Sequence, residues 1–167
     1  ILILSTVTVQ AQIFSENFTT GIPTTFTLHD EDGLTPNSSN FTVGSFFAYT
    51  MENEPCAASV SWFNPVGVAN DWIVTPSIAI PTSSNAISLQ FDVRSYEAAY
   101  PDGIEVYIST TGTNITDFNT STPLYNSTPT SPGPNPPAGQ GEPAEWNTRS
   151  IDLSNYYGQT IFIAFRN

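Results

Sequence analysis

The stretch that decides the fold is ISLQFDVR, residues 87–94. Its apolar residues occupy every second position, and polar or charged residues lie between them. Because successive side chains of a β-strand point to opposite faces, this alternation predicts a strand with one buried and one solvated face. The segments GIEVYIST, residues 103–110, and TIFIAFRN, residues 160–167, repeat the pattern. The side chains predicted to face inward are Ile87, Leu89, Phe91, Val93, Ile104, Val106, Ile108, Ile161, Ile163 and Phe165, with Glu105 outward.

Shorter segments of the same character surround these three. They are IFSENFT (13–19), TFTLH (25–29), FFAYTM (46–51), ASVSWF (58–63), DWIVTP (71–76) and TRSIDLS (148–154). The 14 prolines and 10 glycines fall mostly between the segments, where turns need them. Many short strands separated by turns predict an all-β fold, an antiparallel β-sandwich or jelly roll, in one domain over residues 12–167.

The charge of the chain limits its partners. The chain contains fifteen acidic residues, three arginines and no lysine, and its formal net charge is -12. Such a surface repels phosphate backbones and anionic lipid head groups, so nucleic acids and anionic membranes are excluded as partners. Metal cations, neutral sugars and other proteins remain.

The first residues, ILILSTVTVQAQ, form an apolar run that becomes small and polar. This is typical of the end of a secretory signal peptide, with cleavage after Ala11, so residues 1–11 are interpreted as a signal peptide remnant. The alternative is a first β-strand, because Ile, Val and Thr favour strands. The apolar part is too short to span a bilayer, so no membrane insertion is expected. Cys56 is the single cysteine, which excludes an intrachain disulfide and favours bacterial export.

The segment from Thr128 to Glu145 is dense in proline and glycine and has no strand pattern. It is interpreted as a long surface loop between two strands of one sheet. The last segment, residues 160–167, ends as a strand without a following turn. We therefore expect a domain truncated at its C-terminal end and linked covalently to further domains in the full-length protein.

The turn LHDEDGLTPN, residues 28–37, carries three consecutive carboxylates before a glycine. Calcium takes six to eight oxygen ligands, and alternate residues of a tight turn can supply them, so Asp30 and Asp32 are candidate ligands. Glu31 is expected to face solvent. The turn is not a complete EF-hand loop, so a further ligand must come from elsewhere, and Glu16 is the candidate. The alternative is a solvated acidic turn without metal.

Histidine, cysteine and further carboxylates elsewhere in the chain are candidates for catalysis. His29 and Cys56 are interpreted as residues without a catalytic role, since nothing beside Cys56 favours a thiolate. The carboxylates of Glu97, Asp102 and Glu105 surround a turn and fit either an acidic loop or a second cation site, although glycosidases use such pairs.

Aromatic side chains can stack on sugar rings. Trp72 lies inside a predicted strand and is expected in the core, whereas Trp146, beside the long loop, is the better candidate for an exposed platform. Candidate ligand-binding residues are therefore Trp146, Tyr96 and Tyr100.

Several phrases occur together in a known order: FSENFTTGIPTTFTLHDEDG, NDWIVTPSI, DGIEVYISTTGTNITDF and EWNTRSIDLSNYYGQTIFIAFRN. In this respect the chain resembles the cleaved-adhesin, or choice-of-anchor J, domain of secreted Bacteroidetes proteins, which includes the haemagglutinin/adhesin modules attached to gingipain proteases. The resemblance extends from Ile13 to Asn167.

The resemblance implies a galactose-binding-like jelly roll that is not an enzyme. It also implies structural calcium where the first strand, the acidic turn and the closing strand meet, with Glu16, Asp30 and Asp32 as ligands. The expected function is a non-catalytic adhesin or interaction module of a secreted or cell-surface bacterial protein that binds extracellular protein. Alternatives are a carbohydrate-binding module attached to a secreted hydrolase, an enzyme with an acidic pair, and a structural spacer.

Overall fold

The computed structural model describes residues 12–41, 44–82, 86–130 and 140–167. In these residues the chain is all-β with antiparallel sheets, as the sequence predicts. The strands are Thr27–Asp30 (β1), Phe47–Met51 (β2), Glu54–Ala58 (β3), Asp71–Val74 (β4), Ile78–Ala79 (β5), Ser88–Val93 (β6), Glu105–Ser109 (β7), Tyr125–Asn126 (β8), Asn147–Asp152 (β9) and Thr160–Arg166 (β10). Short 3-10 helices cover Ile115–Asp117 and Ser154–Tyr156.

The larger layer is a six-stranded antiparallel sheet. Its strands run in the order β1-β4-β10-β7-β8, and β5 pairs with the beginning of β10. The central strand β10 therefore has neighbours on both sides. Asp30 of β1 lies directly opposite Asp71 of β4 in this sheet.

Two further antiparallel pairs lie outside this sheet, and the pair of β6 and β9 forms the layer that packs against it. Strands β2 and β3 form a hairpin, while β6 pairs with β9 along its whole length. In β6 the apolar side chains alternate with exposed polar ones, which confirms the alternation predicted for this strand. Arg94, which the alternation places on the solvated face, instead has a side chain that is only 7% exposed.

A first apolar cluster lies between the layers. Ile163 of β10 and Val106 of β7 belong to it, and Ile151 of β9 reaches it from the other side. Leu89 and Phe91 of β6 pack against the same cluster. Their burial supplies the main driving force for joining the two layers.

A second apolar cluster covers the outer face of the larger sheet. Trp72, Tyr107 and Phe118 are its aromatic members, and the rings of Trp72 and Tyr107 stack with their centroids 5.2 Å apart. Phe118 follows the first 3-10 helix, so the segment after β7 folds back over this face. The prediction that Trp72 lies in the core is confirmed. Trp72 and Val74 of β4 belong to this second cluster, and the whole of β4 is buried rather than alternate residues only.

Some predicted elements differ from the observed ones. Residues 13–19 form no strand, and only an isolated bridge joins Thr19 to Gly21. The strand expected over residues 58–63 lies earlier, at Glu54–Ala58, because the hairpin with β2 fixes its register. The two-residue strands β5 and β8 were not predicted, since their sequences are too short to show alternation.

The long proline-rich segment does not join two strands of one sheet. It connects β8, which pairs with β7, to β9, which pairs with β6, so that part of the prediction is wrong. Residues 131–139 of this segment, and the signal peptide interpretation of residues 1–11, lie outside the described residues.

Candidate metal centre and exposed aromatic residues

Three aspartates converge at one edge of the larger sheet. Carboxylate oxygens of Asp30, Asp32 and Asp71 lie within 4.8 Å of one another. Within the described part of the chain, these are the three ionisable side chains that lie close enough together to bind one metal ion. Asp30 ends β1, Asp71 begins β4, and Asp32 lies in the turn after β1. The antiparallel pairing of β1 with β4 therefore places Asp30 beside Asp71.

Hydrogen bonds fix the acidic turn. The Asp30 carboxylate accepts the Gly33 N–H at 2.7 Å, and the Asp32 carboxylate accepts the N–H groups of Leu34 at 2.7 Å and Asn70 at 2.6 Å. Gly33 has a φ of 62°, a conformation that glycine adopts without strain. The turn therefore holds its carboxylates toward β4, and the bond to Asn70 ties the turn to the residue before that strand.

Asp71 is the unusual member of the group. Its side chain is 2% exposed; one carboxylate oxygen accepts the Ser59 hydroxyl at 2.8 Å, and the other is buried without a partner among the described residues. Burial is the main reason that the pKa of Asp71 rises from 3.8 to about 6, and the charges of Asp32 and Asp30 raise it further, while the bond from Ser59 lowers it. A buried carboxylate with an unbonded oxygen is costly unless a cation compensates it.

The last strand reaches the same place. The backbone N–H of Asn167 donates to the Asp71 carbonyl at 3.0 Å, and the Asn167 side-chain amide donates to the Ser59 hydroxyl at 3.0 Å. Arg166 donates to the Asn70 side-chain oxygen at 2.8 Å. The ends of β1, β4 and β10 thus surround the three aspartates.

The donor set fits calcium. All three side chains offer hard carboxylate oxygens, the ligand type that Ca²⁺ prefers, and no softer ligand is in the group. Asp71 brings a buried carboxylate with one unbonded oxygen close to the carboxylates of Asp30 and Asp32, and a divalent ion at this place would neutralise their mutual repulsion.

Glu16, the remaining predicted ligand, is not a member of the group. Its carboxylate accepts the backbone N–H groups of Asn17 at 2.9 Å and Phe18 at 2.6 Å, so it closes a local turn.

Glu31 is exposed, as its place in the turn predicts. The His29 ring bonds to the Thr113 carbonyl at 2.8 Å, on the other face of the sheet.

Two of the three predicted ligand-binding aromatics are exposed. Tyr96 is 58% exposed and Tyr100 is 53% exposed, whereas Trp146 is half-buried. The guanidinium of Arg94 lies 5.7 Å from the Trp146 ring centroid, so it covers that ring instead of leaving an open platform. Trp62, which the sequence did not rank as a binding residue, is 59% exposed.

A sequence model of the cleaved adhesin domain matches residues 11–167. The chain belongs to the cleaved adhesin family. It is 30% identical over 166 residues to haemagglutinin A of Porphyromonas gingivalis strain ATCC BAA-308 / W83, and 29% identical over 166 residues to a second haemagglutinin A of that species. These alignments cover 93% of this chain but only 7% and 6% of the respective relatives, so the chain spans a small part of their length.

Solved structures agree with this assignment. The K3 cleaved adhesin domain of Lys-gingipain from P. gingivalis W83 superposes with a TM-score of 0.64 at 26% identity, over 94% of this chain and 88% of that one. The K1 cleaved adhesin domain of the same protein superposes with a TM-score of 0.62 at 24% identity, over 91% of this chain and 85% of that one, which supports the fold alone.

Asp71 is the site residue of this cleaved adhesin domain that sequence reasoning missed. A signal was present, because Asp71 is the second residue of the phrase NDWIVTP and the first residue of the strand, and an acidic residue at the start of a wholly buried strand needs a reason. What the sequence does not show is the pairing partner: only the register of β1 against β4 places Asp71 beside the acidic turn.

The carboxylates weighed for acid/base chemistry have other partners in the domain. Glu105 pairs with Arg166 at 3.0 Å and accepts the Tyr107 hydroxyl at 2.7 Å. Asp102 accepts the Ser61 hydroxyl at 2.6 Å; burial raises its pKa most, Ser61 lowers it, and the charge of Glu97 raises it. These bonds link strands and loops to one another.

A further buried carboxylate holds the end of the long loop. Glu142 is 1% exposed, pairs with Arg149 at 2.8 Å and accepts the Tyr125 hydroxyl at 2.6 Å. Burial alone would raise the pKa of Glu142, but hydrogen bonds from Ser127, Tyr125 and Arg149 outweigh it and lower the pKa. The loop is therefore fixed to both layers of the sandwich at this point.

Proposed function

We propose that this cleaved adhesin domain is a non-catalytic interaction module that binds extracellular protein and is stabilised by a structural calcium ion. Membership of the cleaved adhesin family is the observation that carries the interaction role. The exposed aromatic side chains of Trp62, Tyr96 and Tyr100 support it, because large exposed aromatics are the usual anchors of protein interfaces.

The calcium ion would be held by Asp30, Asp32 and Asp71. The buried carboxylate of Asp71 supports this proposal, because it lies close to two further carboxylates and one of its oxygens has no hydrogen-bond partner among the described residues. Bound calcium would join β1, its turn and β4, and would offset the repulsion among the three charges. Its role would be structural, since the ligands lie at strand ends that pack together.

The absence of catalysis is part of the proposal. Glu105 and Glu142 are each engaged by an arginine, and Asp102 by a serine, so these carboxylates serve the fold. A general acid would need a carboxyl group that is free to reach a substrate proton.

Export to the cell surface or the medium, and covalent linkage to further domains, belong to the same proposal. The chain corresponds to 7% of the length of a haemagglutinin A. Within the described residues, no helix is long and apolar enough to cross a membrane.

Binding to immobilised, purified extracellular matrix proteins tests the interaction role. We expect saturable binding to at least one of them, measured by biolayer interferometry in buffer with calcium. Absence of binding to every protein on the panel, together with a clear hit on a glycan array, would replace this proposal by the carbohydrate-binding alternative. That alternative has one supporting observation: the exposed Trp62 follows Ser61, whose hydroxyl is bonded to the Asp102 carboxylate, so an aromatic ring and polar groups occur in one segment.

Thermal unfolding with EDTA and with added calcium tests the metal. At a calcium concentration about a hundred times its Kd, binding to the folded state stabilises the domain by about 2.7 kcal/mol. For a domain of this size the melting temperature should therefore rise by roughly 5–10 °C. Equal melting temperatures with EDTA and with calcium would contradict a structural metal.

A further inference from the structure

Three exposed aromatic residues, Trp62, Tyr96 and Tyr100, lie on neighbouring segments of the surface and are here called the aromatic patch. The Ser61 hydroxyl donates to the Asp102 carboxylate at 2.6 Å, which joins the segment of Trp62 to the segment of Tyr100. All three residues contribute to the lining of one large cleft.

A second link fixes the other side of the patch. The Trp62 carbonyl accepts the Asn37 N–H at 2.8 Å, and the Phe41 ring, four residues after Asn37, packs edge-on against Tyr96 at 6.0 Å. The rings are thus carried by segments that are bonded to one another, which reduces the conformational entropy lost when a ligand binds.

The charge around the patch is negative. The Asp102 carboxylate, two residues after Tyr100, is bonded to Ser61, the residue before Trp62, and its pKa responds to the charge of the exposed Glu97. Arg94 is the arginine of this region, but its side chain is 7% exposed and pairs with Glu52 at 2.7 Å. The patch therefore presents aromatic faces and carboxylates without a free cation beside them.

The whole chain, like the patch, has no positively charged side chain without a carboxylate partner. Its three arginines are all engaged, with Glu52, Glu142 and Glu105, and it contains no lysine. Because the chain has 15 acidic residues and three are paired with arginine, the remaining twelve carboxylates have no arginine partner. The field at the patch attracts cations and repels anionic ligands.

From the exposed aromatic patch and this charge we infer that Trp62, Tyr96 and Tyr100 bind an arginine- or lysine-bearing peptide segment of the partner protein. A guanidinium or ammonium group stacks on the face of a tryptophan or tyrosine ring, and a neighbouring carboxylate accepts its hydrogen bonds. The domain already contains such a pair within itself, since the Arg166 guanidinium lies 5.4 Å from the Trp72 ring centroid. This inference rests on the proposed protein-binding function and names its partner chemistry.

A pair of labelled peptides of roughly ten residues tests it. One contains four arginines spaced by glycine and serine, and the other replaces each arginine by citrulline, which keeps the shape and removes the charge. We expect fluorescence anisotropy to show binding of the arginine peptide and at least tenfold weaker binding of the citrulline peptide. The affinity for the arginine peptide should fall as sodium chloride is raised from about 0.05 M to about 0.5 M. Equal binding of the two peptides would overturn the inference.

Variants locate the site. Trp62→Ala should weaken arginine-peptide binding about tenfold, and Tyr100→Ala and Glu97→Gln should weaken it by roughly three- to fivefold each. Leu124→Ala and Glu31→Gln are the matched controls, because both side chains are exposed and neither lines the cleft of the patch. The controls should bind like the unmodified chain. Melting temperatures of all five variants show whether any loss reflects unfolding.

The outcome separates this inference from the proposed function. If the domain binds an extracellular protein and Trp62→Ala leaves that binding and peptide binding unchanged, the partner site lies elsewhere and the inference fails while the function stands. If the glycan array responds, the response is lost in Trp62→Ala, and the arginine peptide does not bind, then the patch recognises sugar and the inference is wrong.

Discussion

The ionisation of Asp71 is determined by its burial and by the two aspartates close to it. This residue lies opposite Asp30 across two paired strands and near Asp32, so three like charges meet where one of them is buried. Like charges directly opposite each other in a sheet destabilise it. Burial and the two neighbouring carboxylates raise the pKa of Asp71 to about 6, so the fold disfavours its charged form relative to the unfolded chain.

Replacing Asp71 by Asn separates the metal from the fold. Asn keeps the shape and removes the charge, so at pH 7 we expect the metal-free variant to melt at a temperature equal to or above that of the metal-free parent. The rise in melting temperature on adding calcium should be lost. Differential scanning calorimetry with EDTA and with calcium measures both effects. Glu16→Gln is the comparison, because Glu16 lies outside the group, and it tests the remaining predicted ligand.

The pKa of Glu142 is shifted in the opposite direction to that of Asp71, so the expected effect of pH on stability also differs. The pKa of Glu142 is lowered in the folded state, so its contribution to stability is present above the unfolded value near 4.5 and is lost as the pH falls through the folded value. Glu142→Gln should cost about 3 kcal/mol at pH 7, because it leaves the Arg149 charge without its partner.

Urea unfolding at a series of pH values measures the free energy of unfolding and so tests this prediction. The stability of the parent should fall between pH 5 and pH 3, and that of Glu142→Gln should fall less. The exposed Asp152, whose carboxylate accepts the N–H and the hydroxyl of the nearby Ser154, supplies the control variant Asp152→Asn. Parallel pH profiles for the parent and Glu142→Gln would contradict the assigned role.

At the scale of elements, alternation predicted the strands that have one solvated face. Strand β6 shows it, with Leu89, Phe91 and Val93 inward. Strand β7 shows more burial than alternation predicts, because Tyr107, on the face opposite Val106, is buried against Trp72. The covering segment comes from beyond the strand, at Phe118, so no pattern within β7 reveals it.

The same limit applies to the candidate metal centre. Asp30 and Asp32 stand out because they are neighbours in sequence. Asp71 is distant in the chain, and its place beside them follows from strand register, which depends on tertiary pairing. Sequence reasoning therefore found the turn and missed the strand opposite it.

Strand β4 provides a stability test at this scale. Trp72→Ala should destabilise the domain by about 3–5 kcal/mol, since it removes a ring that stacks on Tyr107 and lies under Arg166. Trp62→Ala, at an exposed position, should change the unfolding free energy by no more than about 0.5 kcal/mol. Chemical denaturation of both variants makes the comparison, and similar losses for the two would contradict the assigned burial.

For the whole molecule, the net charge of -12 is the dominant feature. Self-repulsion of a highly charged chain destabilises its compact state, and salt screens that repulsion. In EDTA we expect the melting temperature to rise by about 3 °C as sodium chloride is raised from about 0.02 M to about 0.5 M, corresponding to roughly 1 kcal/mol. With saturating calcium the rise should be smaller, because the ion neutralises the densest cluster of carboxylates. A melting temperature that falls with salt would show that attractive pairs, and not repulsion, dominate.

The segment between Trp62 and Asn70 is held at both ends by the region of the acidic turn. The Asn70 N–H binds the Asp32 carboxylate, and the Trp62 carbonyl accepts the Asn37 N–H. An ion that tightens the turn would therefore also restrain the tryptophan ring that a ligand meets. Thermodynamic reciprocity then requires that a ligand bound at that ring raise the affinity for the ion by the same factor by which the ion raises the affinity for the ligand. Two titrations, each repeated with the other component saturating, would give that factor from both directions.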